Sequence, residues 1–205
     1  DTTAVRENGD INATRLEAGL YGTIERGTWN AKVYNYNSER GIPGAIVNNV
    51  WRRGERVWDT NSFFQGSFVK EVNDQFKTQV NAKYAFYRTH YVNNDDKLIE
   101  VDNLYKQREV YVSTANMYTI FPFWDVSMSY DFQWNEMKAD MYGFVFPTRF
   151  TNLLSIATAL RLGKVKLQGS GLATFVNDRV KEGPAPKARQ ILTPAVFLSY
   201  KVFDK

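Results

Sequence analysis

The stretch from Trp124 to Asn135 constrains this chain more than any other, because apolar and polar residues alternate there without a break over twelve positions. Trp124, Val126, Met128, Tyr130, Phe132 and Trp134 fall on one side, and Asp125, Ser127, Ser129, Asp131, Gln133 and Asn135 on the other. Successive side chains of a β-strand point to opposite faces, so the pattern predicts a long strand with one wholly apolar face. The same reading applies to Phe76–Tyr87, where Phe76, Thr78, Val80, Ala82, Tyr84 and Phe86 oppose Lys77, Gln79, Asn81 and Lys83. Leu16, Ala18, Leu20, Gly22 and Ile24 form a third apolar line, and Val165, Leu167, Gly169, Gly171, Ala173 and Phe175 a fourth.

Weaker alternation predicts strands near 28–37, 56–71, 106–120, 149–162 and 190–203, giving nine strands and no helix. In 106–120 the faces are mixed, since Glu109, Asn116 and Met117 fit neither cleanly. Strand length then separates two architectures. Strands of soluble proteins average about 5–6 residues, whereas a strand crossing a bilayer at a tilt near 45° needs about 9–11. A soluble sandwich or lipocalin-like barrel would hide the apolar line inside and expose long edges prone to aggregation. The mean hydropathy of −0.44 does not exclude a membrane barrel, whose lipid-facing and lumen-facing residues alternate and average out. No run of about 18 apolar residues occurs, so a transmembrane helix is excluded.

The connections sort by length. Short turns are predicted at Gly27-Thr28, Asn73-Asp74, Phe121-Pro122-Phe123 and Gly163-Lys164, each with recognised turn residues. Between them lie longer polar segments near 38–55, 90–105, 138–148 and 178–189. Alternating short and long connections are the plan of outer-membrane barrels, and Phe121, Phe123 and Trp124 at a short turn suit an interfacial aromatic girdle. Bacterial single-chain barrels close with an even strand number, so nine strands predict a segment of a larger barrel spanning residues 1–205. The fold class expected is all-β, an antiparallel transmembrane β-barrel segment. On the strand alternation, Lys77, Gln79, Asn81, Lys83, Asp125, Asp131, Gln133 and Asn135 are expected to face the lumen.

Tyr36-Asn37-Ser38-Glu39-Arg40-Gly41-Ile42-Pro43-Gly44 resembles the Y-x-S-x-R-G-[IV]-P-G segment of TonB-dependent outer-membrane receptors. It is most similar to the vitamin B12 and iron-chelate branch in its Bacteroidetes form. The resemblance implies a 22-stranded barrel plugged by an N-terminal globular domain, coupled to TonB through that plug. The plug and the TonB box find no counterpart in these residues, so only barrel wall and loops carry over. The implied activity is uptake of a scarce nutrient, a corrinoid, iron chelate or haem, across the bacterial outer membrane. The alternative is a small eight- to ten-stranded barrel with an adhesion or structural role.

Extracellular ligand contacts are sought at Tyr36 and Arg40 in that segment and at Trp51, Arg52 and Arg53, where aromatic faces and guanidinium groups suit rings and anions. The competing reading of each is a solvated turn, for which Pro43 and Gly44 are suited. The partners expected are outer-membrane lipid and lipopolysaccharide, the rest of the barrel and its plug, TonB, and a surface lipoprotein. Nucleic acid is not expected, because no reader motif accompanies the basic residues. Nor is catalysis. The chain has no cysteine, which removes thiol chemistry, disulfides and cysteine-ligated zinc. His90 is the single histidine, and no H-E-x-x-H, phosphate-cradling or EF-hand pattern occurs. Asn93-Asn94-Asp95-Asp96 reads as a polar turn and Gln168-Gly169-Ser170-Gly171 as strand interior, so no metal and no cofactor is expected.

Overall fold

Alternation over long stretches becomes eleven strands: β1 (Ile11–Ile24), β2 (Gly27–Gly41), β3 (Ile46–Val47), β4 (Val50–Trp51), β5 (Glu55–Glu71), β6 (Phe76–Asn93), β7 (Val101–Phe121), β8 (Trp124–Ala139), β9 (Thr148–Leu162), β10 (Val165–Arg179) and β11 (Arg189–Tyr200). The computed structural model describes residues 7–43, 46–47, 50–51, 54–94 and 100–202, and no described residue is helical. The two-residue strands β3 and β4 pair only with each other, inside the connection between β2 and β5. The nine long strands form one sheet in the order β1-β2-β5-β6-β7-β8-β9-β10-β11, every pair antiparallel. Edge strands β1 and β11 do not pair with each other, so the sheet is open.

Register turns the separate alternations into two continuous faces. Gly22, Trp29, Phe68, Val80, Thr114, Tyr130, Leu154, Ala173 and Leu192 form one unbroken cross-strand row. The row one residue along belongs to the other face, where Asn81 stands opposite Ser113 and Ser113 opposite Asp131. The buried side chains Val57, Ala85, Ala139, Ser38, Asn93 and Ser113 all lie on this second, polar face. Most of the exposed large apolar residues, among them Leu20, Phe64, Val112, Met128 and Ile156, lie on the first. Side chains shield one another on the concave side of a curved sheet and splay apart on the convex side. The polar face is therefore concave and the apolar face convex.

On β6 the apolar line runs from Phe76 to Phe86. Eleven residues at about 3.4 Å each span roughly 35 Å, or about 25 Å of thickness at a tilt near 45°. Several polar atoms inside this band are paired with one another. Tyr130 Oη donates to Asn152 Oδ1 at 2.6 Å, Thr78 Oγ1 to Asn116 Oδ1 at 2.7 Å, and Trp124 Nε1 to Thr158 Oγ1 at 2.8 Å. Such pairing is what an apolar surrounding demands, because an unpaired polar group there is costly. Gly22 has a packing role, since the Trp29 ring opposite occupies the space a Cβ would fill.

Several local expectations are corrected. The first short turn is Glu25-Arg26, with Arg26 at a φ of 53°, so Gly27 and Thr28 already belong to β2. In the next turn Asn73 Oδ1 accepts from the backbone N–H of Gln75 and Phe76, at 2.9 and 2.8 Å. Gly163-Lys164 forms the turn expected, with Gly163 at a φ of 58°. Within the segment 90–105 the residues up to Asn93 and from Val101 onward are strand, because Tyr91 pairs with Asn103 and Val92 with Asp102. The mixed faces near 106–120 are one strand from Val101 to Phe121, irregular only between Thr119 and Phe121. Its ends carry polar residues on both faces, and this hides the alternation.

Candidate functional site: the concave polar face

The concave face places Lys77, Gln79, Asn81 and Lys83 of β6 and Asp125, Asp131, Gln133 and Asn135 of β8 on one surface, with β7 between them. Groups of paired charges organise it. Towards the β1 edge, Lys32 Nζ lies 2.5 Å and Arg15 Nη2 2.6 Å from the Glu17 carboxylate. In the centre, Lys83 Nζ lies 3.0 Å from Glu109 Oε1 and 3.1 Å from Tyr87 Oη. Near the short turns, Arg161 Nη1 and Nη2 reach Asp125 Oδ2 at 2.7 and 2.5 Å, while Thr119 Oγ1 donates to Asp125 Oδ1 at 2.8 Å. Lys77 pairs with Glu71 at 2.6 Å. Asp131 has no side-chain hydrogen bond or ion pair among the described residues.

Between the first two groups lies an aromatic platform. The rings of Tyr34 and Phe63 stack at 4.7 Å between centroids with an interplanar angle of 15°. Arg15 sits 5.3 Å from the Tyr34 centroid, and Lys32 and Lys83 sit 6.0 and 5.7 Å from that of Phe63. Cations at this distance are attracted to the ring faces. Stacked rings bordered by three cations, which share the two carboxylates Glu17 and Glu109, offer an apolar plane with a small positive excess, which suits a ring-bearing anionic group. Arg15, Tyr34 and Phe63 do not stand out in the sequence, and Glu109 does so only as a residue that fits neither face cleanly, because their adjacency depends on cross-strand register. Their position in phase with the polar residues of their strands is the signal that selects them.

The long-connection end of this face holds a hollow of about 560 Å³, bordered by Gln107, Glu109, Gln133, Asn135, Arg149 and Asp178 among others. Arg149 grips Asp178 through two bonds of 2.6 and 2.9 Å. Tyr36 and Arg40, sought in a loop, stand instead on β2, which continues to Gly41, and both share the polar face. Arg40 reaches Asp59 at 3.5 Å, and Thr89 Oγ1 donates to that carboxylate at 2.7 Å. Trp51 lies on β4, its side chain outside the described residues, and Arg52, Arg53, Asp95 and Asp96 also lie outside them. Among the described residues no three of His, Asp and Glu are grouped to hold a metal ion.

At the N-terminal side, residues preceding β1 are clasped to the sheet on its convex side. Asn8 Nδ2 donates to the carbonyls of Ile42 and Glu55 at 3.1 and 2.8 Å, and Arg56 makes two 3.0 Å bonds to Asp10 and one of 2.6 Å to Glu39. The Arg56 hydrogen bonds hold the Asp10 carboxyl below its ordinary range.

No protein-family profile matches the sequence, and no curated protein does. Among solved structures, the chain is similar to the ferric citrate transporter FecA in its unliganded form, with a TM-score of 0.65 and 12% sequence identity over 97% of this chain. The match covers 35% of the transporter's chain, so this chain spans about a third of that neighbour's length. The fold is therefore that of a part of such a barrel.

Proposed function

We propose that this chain is a wall segment of a plugged outer-membrane barrel that takes up a scarce nutrient across the outer membrane by TonB coupling. One observation carries the reading: a convex apolar band of bilayer thickness lies back to back with a concave face rich in charge, in an open sheet that shares the transporter's fold. A convex apolar face suits lipid and a concave polar face suits a lumen or plug, as in wide membrane barrels. The aromatic girdle expected at the short-turn end gains support from Trp29, Phe68, Phe76, Tyr118 and Trp124, which share the convex face there.

In this reading the free edges of β1 and β11 pair with further strands, and the concave face meets a plug that couples to TonB. The ligand is a corrinoid or an iron chelate. The neighbour's ferric citrate and the Tyr34–Phe63 platform with its cations favour an anionic chelate, whereas the Tyr36–Gly44 resemblance favours the vitamin B12 and Bacteroidetes branch. Long connections and their surface lipoprotein partner lie outside, lipopolysaccharide surrounds the band, and the protein has no catalytic role. Unpaired edges give the small closed barrel no support.

The test is uptake of labelled ferric citrate and labelled cobalamin by cells carrying the intact receptor, with and without a working TonB system. The reading predicts accumulation of one of the two that needs both receptor and TonB. Uptake of neither, or uptake indifferent to TonB, contradicts it.

A further inference from the structure

On the convex face, just beyond the apolar band towards the long connections, three strands bring cations together. Arg88 of β6 stands directly opposite Lys106 of β7, and Lys106 directly opposite Lys138 of β8. Arg108 is two positions along β7, between Phe86 and Glu136 in the next row. Arg88, Lys106 and Arg108 are exposed, and none has an ion pair or hydrogen bond among the described residues. Among the described residues Glu136 is the one carboxylate in an ion pair with the group, at 3.3 Å from Lys138, and Asp140, next on the same face, accepts from the backbone N–H of Leu104 at 2.6 Å. Asp102, on the same face, is taken by His90 Nε2 at 2.6 Å, and Glu39 by Arg56. Like charges opposite each other on adjacent strands repel, so four cations in one patch favour an anion with several negative oxygens.

Beside Arg88 the surface forms a hollow of about 440 Å³, bordered by Asn12, Asn37, Trp58, Thr60, Arg88 and His90 among others. The Trp58 and His90 rings are 5.3 Å apart there. Amide, hydroxyl and indole groups around a shallow cavity are suited to a sugar, whose hydroxyls and C–H faces they match.

The geometry points to a binding site for a phosphorylated glycolipid of the outer leaflet, with phosphates on Arg88, Lys106, Arg108 and Lys138, sugar in the Trp58–His90 hollow, and acyl chains along the apolar band below Phe86. Charge complementarity selects the headgroup, and continuity with the band selects a lipid over a free anion. The inference rests on the outer-membrane reading above.

The test uses the intact receptor purified from its own membranes, with bound lipid measured by native mass spectrometry. Replacing Arg88, Lys106 and Arg108 together by Gln is expected to lower retained phosphoglycolipid by about tenfold or more. Arg88→Lys with Arg108→Lys, which keeps the charge, retains it within about twofold. In vesicles, a dephosphorylated form of the glycolipid binds the wild-type receptor as weakly as the phosphorylated form binds the triple variant. β-Sheet circular dichroism confirms that each variant is folded. Equal retention by the folded triple variant, or indifference to the phosphates, overturns the inference. A receptor absent from the outer membrane overturns both readings, whereas one present there with lipid insensitive to the substitutions overturns this one alone.

Discussion

Lys83 Nζ stands 3.0 Å from Glu109 Oε1 across the β6–β7 ladder, one residue out of phase with the apolar neighbours Ala82 and Tyr84. Both side chains are largely shielded, at 28% and 14% exposure. Removing the anion alone leaves a poorly solvated ammonium, so Glu109→Gln is expected to cost about 1–2 kcal/mol, read as a lower midpoint of urea unfolding in detergent. Replacing Lys77 and Lys83 together by Leu is expected to alter channel conductance or plug seating while membrane insertion persists.

The two faces make opposite demands on a charge. Val112 lies in the apolar row with Ala82 and Phe132, and Tyr111 in the polar row with Lys83 and Gln133. Val112→Arg is expected to destabilise the bilayer-inserted barrel by about 2–4 kcal/mol, and Tyr111→Arg by much less. Equilibrium unfolding from vesicles compares them directly, and equal costs would contradict the assignment of faces.

The Tyr34–Phe63 platform gives a ligand prediction. Alanine at both positions removes the stacked plane and leaves Arg15, Lys32 and Lys83 in place. If the proposed uptake of an anionic ligand holds, affinity of the intact receptor for whichever of ferric citrate and cobalamin it accumulates is expected to fall about tenfold or more, with insertion unchanged. Titration of labelled ligand reads the difference.

Asp10 supplies a pH dependence. Its carboxyl is held below the ordinary range chiefly by hydrogen bonds from Arg56. A group whose pKa is lower in the folded state stabilises that state above its unfolded pKa, and the contribution fades as pH falls through the lowered value. The Asp10–Arg56 clasp is thus intact at neutral pH and opens only in acid, below the ordinary carboxyl range. A carboxyl titration followed by NMR should show Asp10 with a depressed midpoint that returns to the ordinary range in Arg56→Gln. Identical midpoints in both proteins would remove the clasp from the account.

Face membership was legible in the sequence because it depends only on parity within a strand. Trp124–Asn135 shows this most plainly, since its alternation survives intact in β8. Adjacency was not legible. Tyr34 meets Phe63, and Arg88 meets Lys106, only after the connections set the register, and composition says little about how long a connection is. Residues 90–105 looked like a loop because their polar side chains suit strand ends beyond an apolar band as well as they suit turns. Tyr36 and Arg40 suit a loop by composition for the same reason, although β2 carries them on its polar face. Glu109 fits its strand's pattern only once register sets Lys83 opposite Tyr111, from where its ammonium reaches the Glu109 carboxylate.

The absence of cysteine makes one measurement decisive for the two-faced wall. Single cysteines placed in turn at positions 126 to 133 of β8, in the intact receptor in vesicles, can each carry a spin label. The account predicts strict alternation, with labels at 126, 128, 130 and 132 relaxed by oxygen dissolved in lipid and those at 127, 129, 131 and 133 relaxed by a water-soluble reagent. Uniform accessibility, or alternation of opposite phase, would contradict it.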